Sequence, residues 1–246
     1  MSPTTIPGNL ILKNEMVEAD PFFNNVSLLL HGDGTNGSTT IVDSSPSPKT
    51  VTAFGDAQIS TAQSKFGGSS LAFDGTGDYL TVPSSADFAF GTGDFTVEFW
   101  LKSQNSSNQR GILQISDATG GLSTSYANGL VFYFPTASSI GALINGAGLQ
   151  SANNILSLNT WHHVAATRSG TSFAVFVDGV QSITSTSSAN LTASNLAVGG
   201  YYDTSYLLNG YIDDLRITKG VARYTSNFTP PTAPFPDLSP TTRLTA

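Results

Sequence analysis

Few side chains in this sequence are placed to do chemistry, and carboxylates come first among them. Glycoside hydrolysis needs two carboxyl groups, a proton donor and a nucleophile or base, held about 5–9.5 Å apart. Of the three glutamates, Glu15 and Glu18 fall in a Pro-broken N-terminal stretch, and only Glu98 sits in a strand-like run. Within FTVEFWL (95–101) a period of two places Thr96 and Trp100, not a second acid, on the face of Glu98. Glu98 is therefore expected as a half-exposed strand residue or a hydrogen-bond partner. No Gly-x-Ser-x-Gly elbow presents a serine, and zero Cys excludes thiol catalysis and disulfides. His162 and His163 are adjacent in an expected strand, so they point to opposite faces and do not chelate one ion together. A three-His zinc site would have to recruit the distant His31. No catalytic residue is assigned.

Oxygen ligands are better supplied. Calcium takes several carboxylate, carbonyl and amide oxygens. Asp33 in HGDGTNG, Asp74 and Asp78 in DGTGD, and the pair Asp213 and Asp214 provide them, although none fits an EF-hand. Asx turns explain Asp before Gly equally well, and Arg216 is placed to pair with either late Asp. Sugars stack their rings on exposed aromatic faces while Asn, Asp and Arg bond their hydroxyls. Tyr201, Tyr202, Asp203 and Tyr206 share one expected loop, and Tyr126, Asn128 and Tyr133 make a second patch. Tyr is also enriched at protein interfaces, so both patches suit either glycan or protein contact.

The elements that must carry these groups read as strands. Phe95, Val97, Phe99 and Leu101 share a face opposite Thr96, Glu98 and Trp100, and 172–177 alternates before meeting Asp178-Gly179, a hairpin signal that needs positive φ at both turn residues. Further strands are expected at 26–30, 50–54, 70–73, 79–82, 111–115, 129–134, 140–144, 161–167, 195–199 and 210–217. Their regular spacing, with turn residues between, indicates a sandwich or barrel. The chain of 246 residues has 11% charged residues, about a quarter Ser and Thr, and a net charge of −7. Ten scattered basic residues exclude a phosphate-tracking surface and hence a duplex nucleic-acid partner. No apolar run approaches a membrane span, so no membrane insertion is expected, and the first twenty residues lack the basic and apolar regions of a secretory signal. Residues 1–24 read as an arm with one apolar cluster, Leu10 to Leu12. Residues 25–228 form the body, and 229–246 a Pro-rich, extended tail.

Four ordered blocks carry a family resemblance: FGGSSLAFDGTGDYL (66–80), DFTVEFWL (94–101), WHHVA (161–165) with the hairpin after it, and GYIDDLRI (210–217). Together they resemble the laminin-G-like branch of the concanavalin-A-like lectin/glucanase superfamily over about 26–228. The ending TKGVARYTSNFTPP (218–231) is similar to laminin-G-like domains of bacteriophage virion proteins. The resemblance implies an all-β fold, a two-sheet antiparallel jelly-roll sandwich whose concave face or rim loops bind ligands. It also implies a structural calcium where the first strand's exit loop meets the last long strand, which points to Asp33 with Asp213 or Asp214. Glucanase members carry Glu-x-Asp-x-Glu on one strand, and here only Glu98 stands in such a position. The expected function is a non-enzymatic virion structural protein of a phage tail, fibre or head decoration, on the particle exterior, serving assembly or adhesion to a host-surface glycan. Other virion proteins and further copies of the chain, trimers among them, are its expected partners. A free carbohydrate-binding module or lectin is the alternative, and a polysaccharide depolymerase the weaker one.

Overall fold

The alternation of Phe95, Val97, Phe99 and Leu101 buries one face of a central strand, and a second sheet must cover that face. The computed structural model describes residues 19–105, 108–118 and 122–239. Among them the strands run β1 (Val26–Leu30), β2 (Thr52–Phe54), β3 (Gln58–Ser60), β4 (Ser70–Asp74), β5 (Tyr79–Val82), β6 (Phe95–Ser103), β7 (Arg110–Ser116), β8 (Leu130–Phe134), β9 (Gly141–Ile144), β10 (Ala147–Gln150), β11 (Trp161–Ser169), β12 (Ser172–Val177), β13 (Val180–Thr186), β14 (Asn195–Val198) and β15 (Asn209–Lys219). One sheet has the order β13-β12-β11-β6-β15-β4-β3, with β1 added to the second half of β15. The other has the order β10-β9-β8-β7-β14-β5-β2. This is the expected all-β sandwich of two antiparallel sheets, jelly-roll-like in its crossovers.

The main core lies between the sheets. Phe95, Val97, Phe99 and Leu101 of β6 meet Leu130, Phe132 and Phe134 of β8 there, with Leu196 and Val198 of β14. The Asp178-Gly179 turn joins β12 to β13 with φ of 50° and 77°, the left-handed pair that the hairpin requires. β3 and β10 were not expected as strands. Both are short edge strands: β3 alternates about one buried residue, Ile59, over too few positions to show a period, and β10 is largely exposed. No helix among the described residues is long and apolar enough to cross a membrane.

The outer face of the eight-stranded sheet is covered by the chain itself. Tyr224 and Phe228 stack at 3.6 Å and pack on Ala165, Ala174 and Phe176. Phe235, from the segment expected as a tail, is buried against Val26 and Leu29. At the other end of the described chain, Asp20 N–H donates to Leu238 O at 2.9 Å. Leu10 to Leu12 and the rest of 1–18, like 240–246, lie outside the described residues.

Candidate functional site

Three groupings of polar side chains merit comparison, and the first is sealed. Glu98, on the outer face of β6, is fully buried, not half-exposed, because the 220–239 segment lies over it. Its Oε1 accepts from Arg216 Nε and Nη2 at 3.0 and 2.8 Å, and its Oε2 from Tyr224 at 2.8 Å. Arg216 also donates to Asp20 at 3.1 Å, and Arg223 grips both Asp20 oxygens at 3.0 and 2.7 Å. The expected pairing of Arg216 with Asp213 or Asp214 is thus replaced by Glu98 and Asp20. Burial pushes the Glu98 carboxyl up, but Arg216, His163 and Arg223 override it and hold it at about 2. His163 packs edge-on against Trp100 and Phe228, with Nε2 3.4 Å from Glu98 Oε2. His162 turns the other way: its Nε2 accepts Ser157 N–H, so Nδ1 carries the proton donated to Asp178 at 2.6 Å. An ionised, sealed and fully paired glutamate has no means of reaching a substrate.

The second grouping brings Asp33 and Asp213 to one loop. β15 has a bulge between Asp213 and Arg216, with Asp214 at φ 51°, a conformation that Asp tolerates. The extra residue puts Asp213 and Arg216 on the same face despite their odd spacing. Asp213 Oδ2 accepts the N–H groups of Lys65 and Phe66 at 2.6 and 3.1 Å, and Gly67 packs against the Asp33 carboxylate. Asp213 Oδ1 is buried without a partner among the described residues. Burial, with Asp214 and Asp33 nearby, pushes this carboxyl up to about 7 against the pull of the two N–H groups. Asp214 is fully used, by His31 Nδ1 at 2.6 Å and Phe235 N–H at 2.6 Å. Asp213 and Asp33 are thus the free oxygen donors here, and the described residues hold no group of three His, Asp or Glu that would cage a metal. Asp74 and Asp78 lie elsewhere, with Asp78 accepting Asp56 and Asp74 N–H at 2.5 and 2.8 Å.

The third grouping joins the two tyrosine patches into one platform on the outer face of the seven-stranded sheet. Tyr133 points outward from β8 between two glycines, Gly111 of β7 and Gly141 of β9. A Cβ on Gly141 would fall 2.5 Å from the Tyr133 ring, and one on Gly111 2.2 Å from Tyr201 N. Bare backbone is therefore what lets the ring and the 200–201 segment settle on the sheet. Gln114 holds the β7–β8 connection back over the same face through two bonds to Ser123, at 2.7 and 3.1 Å, which brings Tyr126 across. Tyr201 then has Tyr133 at 5.5 Å, Tyr206 at 5.5 Å and Tyr126 at 6.2 Å between ring centroids, and Tyr202 lies 5.4 Å from Tyr206. Tyr201 is 8% exposed and Tyr202 is 38% exposed. Tyr202 adopts φ 69°, a strained conformation for a bulky residue.

Among the described residues none of these five hydroxyls has a hydrogen-bond partner. Burial, with tyrosine neighbours and Asp203, raises Tyr201 to about 12, and burial raises Tyr126 and Tyr133 too. These three stay neutral, each able to donate and to accept. Asp203 closes its own turn by accepting Ser205 N–H at 2.7 Å, and the Asn128 amide donates to Asp117 at 3.4 Å. Arg110, absent from the sequence expectations, braces the loop by donating to Ser205 O. Glycines inside strands were the available signal for this close approach.

Comparisons with known proteins agree with this architecture. A family model described as the concanavalin A-like lectin/glucanases superfamily (Laminin_G_3) matches residues 74–223. No curated protein matches the sequence. Among solved structures, the binding domain of Paraclostridial Mosquitocidal Protein 1 is similar at 13% identity and TM-score 0.60, over 82% of this chain and 50% of that one. The botulinum neurotoxin serotype D binding domain is similar at 17% identity and TM-score 0.59, over 82% and 49%. Domain 4 of AbnA, a GH43 extracellular arabinanase from Geobacillus stearothermophilus, in complex with arabinotriose, is similar at 14% and TM-score 0.55, over 80% and 94%. The chain thus spans about half the length of the two toxin domains and nearly all of the arabinanase domain. At these identities the likeness is one of fold.

Proposed function

The chain belongs to the concanavalin A-like lectin/glucanases superfamily, and from that premise we propose that it is a non-catalytic glycan-binding module. Its contact surface is the platform of Tyr126, Tyr133, Tyr201, Tyr202 and Tyr206. The observation that carries this reading is Tyr202, a large ring turned outward on a strained backbone and backed by rings whose hydroxyls the protein leaves unused. Strain of this kind persists where the surroundings impose it, and binding sites are where it collects. A ring face packs on the apolar side of a pyranose while the free hydroxyls bond its edge. The finer setting we propose is the exterior of a phage particle, as a tail, fibre or head decoration, in line with the sequence resemblance.

An array of immobilised neutral, amino and acidic oligosaccharides tests the platform. The chain is expected to bind a subset of them, and Tyr202→Ala to weaken that binding about tenfold, roughly 1.4 kcal/mol, with little change in melting temperature. Undiminished binding by Tyr202→Ala, or no saccharide bound by the native chain, refutes the reading.

We further propose that Asp213, with Asp33, contributes to a structural calcium site, since Asp213 Oδ1 lacks the partner that a hard cation supplies. Two carboxylates leave the remaining oxygens to carbonyls and water. Calcium would add no chemistry there beyond neutralising buried charge and tying β15 to the 65–67 loop. Adding EGTA to calcium-loaded protein is expected to lower the melting temperature, and an unchanged melt excludes a stabilising ion.

A further inference from the structure

We propose that a second, separate sugar site lies in the cleft beside β4, and that it takes a neutral or amine-bearing sugar while rejecting acidic ones. This rests on the glycan-binding reading of the tyrosine platform. On the outer face of the eight-stranded sheet, Gln58, Ala72, Tyr211 and Lys102 form one cross-strand row. Ala72 is the small member, so the row dips between the Gln58 amide and the Tyr211 side chain. The resulting cleft is about 300 Å³, and Asp56, Asp74 and Asn209 also line it. That volume is at the lower end for small-ligand sites.

The cleft is held open by a rigid hinge of hydrogen bonds. Asp78 is buried beneath it and accepts the N–H groups of both Asp56 and Asp74, which fixes the β2–β3 and β4–β5 turns relative to each other. The carboxylate of Asp56 and the side-chain amide of Asn209 have no partner among the described residues, and Asp74 uses one oxygen, for Thr76 N–H. The nearest cation in the row, Lys102, is drawn away to Gln63 at 2.5 Å. The lining therefore carries carboxylates and no cation.

Two features decide the ligand class. The amides of Gln58 and Asn209 and the phenol of Tyr211 supply donors and acceptors together, which suits the hydroxyls of a sugar better than the lone ammonium of a lysine side chain. The unpaired carboxylates repel a uronate or sialate and attract a protonated amino sugar. The cleft and the platform face opposite sides of the sandwich: the chain from Tyr201 passes through the buried Leu207 and Leu208 before Asn209 begins. The two are therefore separate sites, and a short saccharide occupies one of them at a time.

The test is calorimetric titration of the full chain, at about pH 6 and at low and high salt, with three probes: cellotetraose, the glucosamine tetramer and tetragalacturonate. The glucosamine tetramer is expected to bind at least about tenfold more tightly than tetragalacturonate, with cellotetraose between them, and the gap to narrow with salt. Asp56→Asn with Asp74→Asn retains the side-chain shapes and the Asp78 pin. This double variant should bring the glucosamine tetramer down to the cellotetraose level, whereas Tyr202→Ala, on the other face, should leave the gap between the glucosamine tetramer and tetragalacturonate in place. Loss of binding in the double variant together with full binding by Tyr202→Ala keeps the cleft and discards the platform. The proposal is overturned if tetragalacturonate binds as well as the glucosamine tetramer, or if the double variant leaves the order unchanged while the native chain binds. It also falls if none of the three binds; oligolysine binding that the double variant abolishes would then mark the cleft as a peptide site.

Discussion

Replacing Glu98 by alanine is expected to lower the unfolding free energy by about 3–5 kcal/mol, the range for removing one partner of a buried ion pair. Most of that loss comes from what is left behind. Arg216 keeps Asp20, which Arg223 already holds, but its Nε and Nη2 donors lose their acceptor beneath the 220–239 segment. Tyr224 loses its acceptor as well. Glu98→Gln should lose less, because the amide oxygen still accepts. Glu98→Leu combined with Arg216→Met should recover part of the loss by removing both charges together. Urea unfolding of the four proteins measures this, and a single-variant loss below about 1 kcal/mol would show that the pair is not structural. The same carboxylate sets an acid limit. Its folded pKa, about 2, lies below the ordinary 4.5, so its contribution is fully present above about pH 4.5 and drains away as the pH falls towards 2.

Arg168→Met should destabilise the protein by about 3 kcal/mol, through backbone groups and not through charge. Arg168 is completely buried at the end of β11. It donates to Gly93 O from Nε and Nη2 at 2.9 and 2.6 Å, to Gly91 O at 2.7 Å and to Ala189 O at 2.8 Å, with its guanidinium 5.2 Å from the Phe95 ring centre. Methionine fills similar space but leaves the Gly93 and Ala189 carbonyls without their donor, at roughly 1–3 kcal/mol each before relaxation and hydration, while Gly91 O keeps Leu191 N–H. Arg168→Lys should recover only part, since one ammonium does not reproduce the planar fork. A Met variant within about 1 kcal/mol of the native chain would mean that water replaces the guanidinium freely.

Much of this architecture is legible in the residues, and the reasons are local. The alternation along β6 and the Asp-Gly turn after β12 specify pairing and side without reference to the rest of the chain. What escapes is whatever depends on distant segments. Glu98 looks half-exposed until Tyr224, Phe228 and Phe235 are brought over it from more than a hundred residues away. The bulge at Asp214 has no hydrophobic signature, yet it decides that Arg216 turns to Glu98 and that Asp213 turns to the 65–67 loop. The platform was visible only as two separate patches, because its unity comes from Gln114 folding one connection over the sheet and from two glycines admitting the rings. Edge strands such as β3 have too few apolar positions to show a period.

The bond between Asp20 N–H and Leu238 O sets the two flanks of the folded unit side by side. Tension applied through both flanks is therefore borne first by that one link and the ion pairs around Asp20, like a clasp, before it reaches the sheets. The tyrosine-bearing surface is on the opposite sheet from this clasp. A tether at the clasp leaves it facing outward, so a particle or a larger polypeptide could carry the unit as a pendant without straining the grip.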